Sequence, residues 1–158
     1  MNAKTKLIAG LALIVLVIFS LAIILNASKS KMPMLANENM LPEFVMNNYQ
    51  NKLAYSIALD RQEDFEYIAC YCGCGMHEMQ HRGKTIPIMH SLKECFINED
   101  GSWQDHAAID CPACVAIALK ADELLKQGLS LKETREYIDT EYVDQRYIEM
   151  GTKTPLPP

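Results

Sequence analysis

The first 69 residues of this chain contain no cysteine, the first 31 no acidic side chain, and the stretch from Leu7 to Leu25 no charge of either sign. Each absence excludes something. With no cysteine at the end of the apolar run, lipid attachment there is ruled out. An uncharged run of 19 residues reaches roughly 28 Å as a helix at about 1.5 Å per residue, close to the thickness of a bilayer core. It exceeds the apolar core of a signal peptide. Leu25-Asn26-Ala27 also puts a bulky leucine where leader cleavage needs a small side chain, so an uncleaved transmembrane anchor is expected over 1–27. No glycine-rich phosphate loop and no Ser/His/Asp set occurs. Paired acids such as Glu63/Asp64 and Glu99/Asp100 read as solvated turns. No catalytic set and no organic cofactor site is therefore expected.

Charge orients the chain. All 20 Asp and Glu follow position 31, against 11 Lys and Arg there, a formal charge of −9. That surface repels nucleic acid and suits a cationic metal or a basic protein, whether a metal recipient or a subunit of a membrane complex. Lys4, Lys6 and the terminal amine face Lys29 and Lys31 across the run. The expected arrangement is a short cytoplasmic N-terminus, one pass through the cell membrane and an extracytoplasmic domain.

The remaining chain is long enough for one modest core. Residues 28–42, with Met32, Met34 and Met40, read as a proline-punctuated linker. Residues 43–150 read as a small, mainly α, cysteine-rich domain with at most one short hairpin, and 151–158 as a C-terminal tail. Phe44, Val45, Tyr49, Leu53, Ile57 and Ala58 predict a helix from Glu43 to about Leu59, followed by a short turn from Gln62 to Ile68. The hairpin is expected at Cys95-Phe-Ile and Ser-Trp, turned by Asp100-Gly101. Pro112 opens a strong helix with Val115, Ala118, Leu119, Leu124 and Leu125 inward, stopping at Gly128. Ser130-Leu-Lys-Glu133 is a capping box for a last helix to about Tyr147, with Leu131, Tyr137, Ile138 and Tyr142 inward. Trp103 and Tyr71 read as packing residues.

All six cysteines fall between Cys70 and Cys114, together with all four histidines, His77, His81, His90 and His106. Cys70, Cys72 and Cys74 alternate in CYCGCG. On a straight strand, sulfurs two residues apart spread too far to share an ion, but Gly73 and Gly75 permit a tight loop that curls them inward. Cys95 follows, and Cys111 and Cys114 form a CPAC pair at a helix start. Three chemistries use these residues. As metal ligands, the six thiolates with a completing histidine exceed one tetrahedral site and give either one four-ligand site or a small bridged cluster. Copper(I) is expected first, zinc second and iron–sulfur third. As disulfides, they would staple a small exported core in one of fifteen connectivities, although three cysteines in five residues close negligible loops. As a redox pair, CPAC has the helix N-terminus that activates a thiolate but lacks the βαβ setting of a thioredoxin fold. His77 and His81 are one turn apart if that segment is helical. His90-x4-Cys95 and His106-x4-Cys111 share a spacing that favours ligand or ligand-supporting roles.

CYCGCG, HSLKECF, DHAAIDCPAC and GLSLKETREYID, in that order over about Ala54 to Tyr142, resemble the bacterial family named for its PCYCGC motif. The resemblance implies an exported, often lipid-anchored, cysteine-rich helical domain, and no particular activity. Three departures stand out: Ala69 replaces the motif proline, MHEMQHRGKTIPIM enlarges the connection before His90, and the apolar anchor replaces the lipid-modified cysteine.

Overall fold

The computed structural model describes residues 40–81, 83–142 and 151–158. The chain divides into two units, Met1–Met34 and Leu35–Pro158, and the described residues all belong to the second. The expected anchor over 1–27 and most of the linker lie outside the described residues. Among those described, no helix is long and apolar enough to cross a membrane.

Among the described residues there are five α-helices and one two-stranded sheet. Helix α1 is Tyr49–Asp60. The single helix expected from Glu43 is broken instead. Glu43–Val45 makes only a 3-10 turn, and Asn48, extended at φ −130° and ψ 114°, starts a new helix by accepting Asn51 N–H through its side chain. Asparagine favours this cap position because its amide oxygen satisfies a donor the helix leaves open. Tyr49 and Phe44, expected inward, are 48% and 41% exposed, whereas Tyr55 is fully buried. Its ring meets those of Phe44, Phe96 and Trp103 at 5.6, 4.9 and 5.6 Å. Helix α2 is the short turn Gln62–Phe65.

The sheet lies in the enlarged connection. Strands β1 (Met79–His81) and β2 (Lys84–Ile86) pair antiparallel, Met79 opposite Ile86 and His81 opposite Lys84, turning through Gly83 at φ +77°. The segment expected to form the hairpin makes a single bridge, Ile97 to Trp103. The turn there is too tight to extend it: Asn98 N–H donates to Ser102 O and Gly101 N–H to Asn98 O. Asp100 is held by the backbone and hydroxyl of Ser102.

Helix α3, His106–Ile109, is a single unforeseen turn. Helix α4, Pro112–Lys126, begins with proline in its first turn and Cys111 as the cap. It ends as its sequence predicts. Gly128 takes φ +94°, its N–H donates to Leu125 O, and Leu129 N–H donates to Leu124 O, the paired bonds of a Schellman stop. Helix α5, Leu131–Tyr142, starts with the reciprocal capping box, Ser130 N–H to Glu133 Oε2 at 2.8 Å and Glu133 N–H to Ser130 Oγ at 3.3 Å. Helix α4 is central, packed against α1, α3 and α5. The core gathers Tyr55, Phe65, Ile68, Met89, Leu92, Phe96, Ile117 and Ile138, and five of the six cysteines are buried within it. The sulfur site is thus part of the core.

Candidate metal centre

The loop after α2 is tethered at intervals. Leu92 N–H donates to Ile68 O, Met89 N–H to Cys74 O, and Thr152 N–H to Cys70 O. Cys70 N–H returns a bond to Thr152 Oγ1 at 2.9 Å. Between these fixed points the chain reverses through Gly73 at φ +89°, a conformation costly for any residue with a β-carbon. The consequence is that Cys70, Cys72 and Cys74 face one another instead of spreading along a strand. From the other side, the 3-10 turn Lys93–Cys95 delivers Cys95, and the first turn of α4 delivers Cys111 and Cys114, with Cys114 N–H donating to Cys111 Sγ at 3.2 Å.

All six thiols are free. Sulfur to sulfur, Cys72–Cys74 is 2.8 Å, Cys70–Cys114 3.1 Å, Cys70–Cys72 3.4 Å, Cys72–Cys114 3.7 Å and Cys74–Cys95 3.8 Å. The edge of a tetrahedral zinc–thiolate site, from a metal–sulfur bond of about 2.3 Å, is about 3.8 Å. The cluster therefore needs to open by less than about 1 Å to take an ion. Three donor sets arise, each with its atoms within 4.8 Å of one another: Cys70, Cys72, Cys111 and Cys114; Cys70, Cys74 and Cys95; and Cys72, Cys74 and His106. The described cysteine cluster could hold a metal ion.

His106 is buried at 4% exposure. Among the described residues neither ring nitrogen has a hydrogen-bond partner; Asp110 Oδ2 stands 4.0 Å from Nδ1. A buried polar atom left without a partner costs about 1–3 kcal/mol, so the position calls for an occupant. Tyr55 sets it. Its hydroxyl donates to Gln104 O at 2.6 Å and accepts from Ala108 N–H at 3.2 Å, gripping the backbone on both sides of His106. His90 and His77 are exposed, and His90 lies outside the three donor sets. His81 stands on β1, not on a helical turn with His77. Among the described residues, seven of the ten expected ligands converge, all six cysteines and His106.

The sulfurs polarise one another. Cys72, surrounded by the thiols of Cys111, Cys114, Cys70 and Cys74, is driven far below the usual thiol range. Cys74 is pulled down to about 3 by Cys114 and Cys70, and Cys111 to about 7 by Cys114 and Cys70. Cys70 is pushed up, chiefly by Cys111. Burial pushes Cys114 up. At Cys95 the downward pull of Cys114 and Cys70 is outweighed by Cys72, Cys74 and complete burial. Burial alone would lower His106, but the sulfurs of Cys111, Cys72 and Cys74 around the ring overcome it and hold the imidazolium up to about 11. At pH 7 Cys72 and Cys74 are thus thiolates and Cys111 stands near its midpoint, outweighing the one positive charge of His106, an anionic pocket able to exchange protons for a metal cation.

Residues 151–158, expected as a tail, close this loop from outside. Besides the two Cys70–Thr152 bonds, Thr154 Oγ1 donates to His90 O at 2.8 Å. Arg135, from α5, donates to Tyr67 O and Pro155 O at 2.8 and 3.0 Å and grips both oxygens of Asp139, which also accepts from Tyr71 at 2.7 Å. Nothing local in the sequence marks Thr152 as a partner of Cys70, 82 positions away.

A family model described as a protein of unknown function with PCYCGC motif matches residues 26–157. The chain belongs to that family. No curated protein and no solved structure matches. In this PCYCGC protein, Ala69 at the motif's proline position is buried, and the segment between the cysteine loop and His90 forms the β1–β2 hairpin.

Proposed function

We propose that this protein is a membrane-anchored, extracytoplasmic carrier or store of a soft metal ion, copper(I) before zinc, held by the cysteine cluster. The observation carrying the reading is the gathering of six free thiols in three overlapping donor sets, one of them completed by a buried histidine whose ring nitrogens have no hydrogen-bond partner among the described residues. Soft thiolates select copper(I) over harder ions. The uncharged run from Leu7 to Leu25 and the acid-free N-terminal 31 residues support the anchor and the outward domain. Cys72 is the one cysteine that is not fully buried, a point of entry and exit for the ion. Delivery, storage and detoxification share this chemistry and differ in exchange rate.

The full-length reduced protein in detergent should withdraw copper(I) from a coloured chelator, and a stronger thiolate chelator should retrieve it quickly with the helical signal unchanged. If the coloured chelator keeps all its copper, the reading fails. Binding should also depend on pH. Cys70, Cys95 and Cys114 are held as thiols and His106 as an imidazolium at pH 7. Each must lose its proton to ligate, so affinity rises with pH by about tenfold per unit for each proton released. Uptake in unbuffered solution should therefore acidify it, as a pH-stat titration would record.

The thiol–disulfide reading has one observation on its side, the lowered Cys111 thiol at a helix start. Cys111 and Cys114 are 3% and 0% exposed, which bars a protein disulfide from reaching them without local opening.

A further inference from the structure

The three donor sets overlap in a regular way. The four-thiol set shares Cys70 with the set containing Cys95 and Cys72 with the set containing His106, while those two sets share Cys74. Every pair of sets therefore has one sulfur in common, and the three common sulfurs are the alternating cysteines of CYCGCG. A thiolate sulfur has lone pairs enough to bind two soft ions at once. We propose that the centre holds three metal ions in a six-membered ring, bridged in turn by Cys70, Cys72 and Cys74, with Cys111 and Cys114, Cys95, and His106 as the terminal ligands of the three ions. The inference rests on the metal-handling reading and gives it a stoichiometry.

A single ion explains less. Seated in the four-thiol set, it would leave Cys74, Cys95 and His106 out of its shell, and the buried imidazole would keep both nitrogens without a hydrogen-bond partner among the described residues. The ring uses all seven donors. It also accounts for the alternation itself: with one residue between successive sulfurs and a left-handed turn at Gly73, the bridging atoms sit 2.8 Å (Cys72–Cys74) and 3.4 Å (Cys70–Cys72) apart, as neighbours around a small ring. The sets with three donors suit copper(I), which is satisfied by three soft ligands, while zinc would need a further ligand at two positions. Three copper(I) ions among six thiolates leave a formal charge of −3, offset in part by the positive end of α4. Three divalent ions would leave none. Counted this way, the overlap of the sets gives three ions for either metal.

The test is an anaerobic titration of the full-length reduced protein with copper(I), supplied as its acetonitrile complex, followed by X-ray absorption at the copper edge. The expected end point is three copper ions per chain, with a copper–copper scattering shell. A Cys111→Ser/Cys114→Ser variant removes the terminal ligands of one ion and keeps a helix start that serine caps well. Its end point should fall from three to two with the copper–copper shell retained. An end point of one or two in the unaltered protein, or a variant that binds none, overturns the three-ion ring and leaves the proposed function standing. No uptake by the unaltered protein removes both.

Discussion

Loading with copper(I) is expected to raise the melting temperature of the protein by on the order of 10 °C or more. A ligand that binds only the folded state at a thousandfold excess over its dissociation constant adds about 4 kcal/mol, and a domain of this size gains about 2–4 °C per kcal/mol. The effect is large because the ligands are core residues. Cys70, Cys74, Cys95 and Cys114 are each at 0% exposure, so unfolding breaks the metal shell and the core together. Without metal the same interior keeps Cys70 and Cys114 as buried thiols and leaves the His106 imidazolium balanced by neighbouring sulfurs, its ring nitrogens without a hydrogen-bond partner among the described residues. The unfolded CYCGCG segment retains some affinity for copper, which lowers the gain without cancelling it. Differential scanning calorimetry before and after chelation measures it. Identical melting temperatures would mean that the thiols hold no metal in the folded state.

Deleting residues 151–158 is expected to cost about 3–6 kcal/mol and to speed metal loss. The deletion strips the buried N–H and carbonyl of Cys70 of their bonds to Thr152 and one Arg135 nitrogen of its bond to Pro155. Each buried group left unpaired costs about 1–3 kcal/mol. The closeness of the clamp adds to this. A β-carbon on Gly75 would lie 2.7 Å from Thr152 Cα, and one on Gly151 2.7 Å from Tyr71 Cε1, so backbone and ring surface pass at contact distance without room for a methyl group. Removing the segment exposes the ligand loop along that side. Thr152→Val, which deletes only the hydroxyl and leaves its N–H bonding to Cys70, should cost about 1–2 kcal/mol. Chemical denaturation measures the stability loss, and chelator exchange the rate. A truncated protein with unchanged denaturation and exchange would show that the loop holds its shape alone.

Local signals in the sequence translated directly into structure. Glycine between alternating cysteines gave the reversed loop, Pro112 after Cys111 the start of α4, Gly128 its stop, and Ser130 with Glu133 the capping box. These features depend on neighbours within five positions. The hairpin forms over residues 79–86 and not at the Asp100-Gly101 turn, because one bridge at Ile97 and Trp103 and two paired strands before His90 differ in side-chain and turn details that composition does not separate. His90 and His106 carry the same spacing to a following cysteine, yet one is exposed and the other buried against the sulfurs. What divides them is Tyr55, about fifty positions earlier in the chain than His106, whose hydroxyl holds the backbone on both sides of that histidine. Thr152 was out of reach for the same reason. Its role exists only once α5 has returned the chain to the cysteine loop.

If six cysteines and His106 form the proposed metal centre, the isolated protein carries its ion. Elemental analysis by mass spectrometry, with a count of free thiols after chelation, on the full-length protein isolated anaerobically without added metal or reductant, tests it most directly. The expected result is copper or zinc in stoichiometric amounts and six thiols recovered per chain. A protein with no metal and no free thiols after denaturation, which after reduction still takes up none, would contradict it and leave three disulfides in place of the centre.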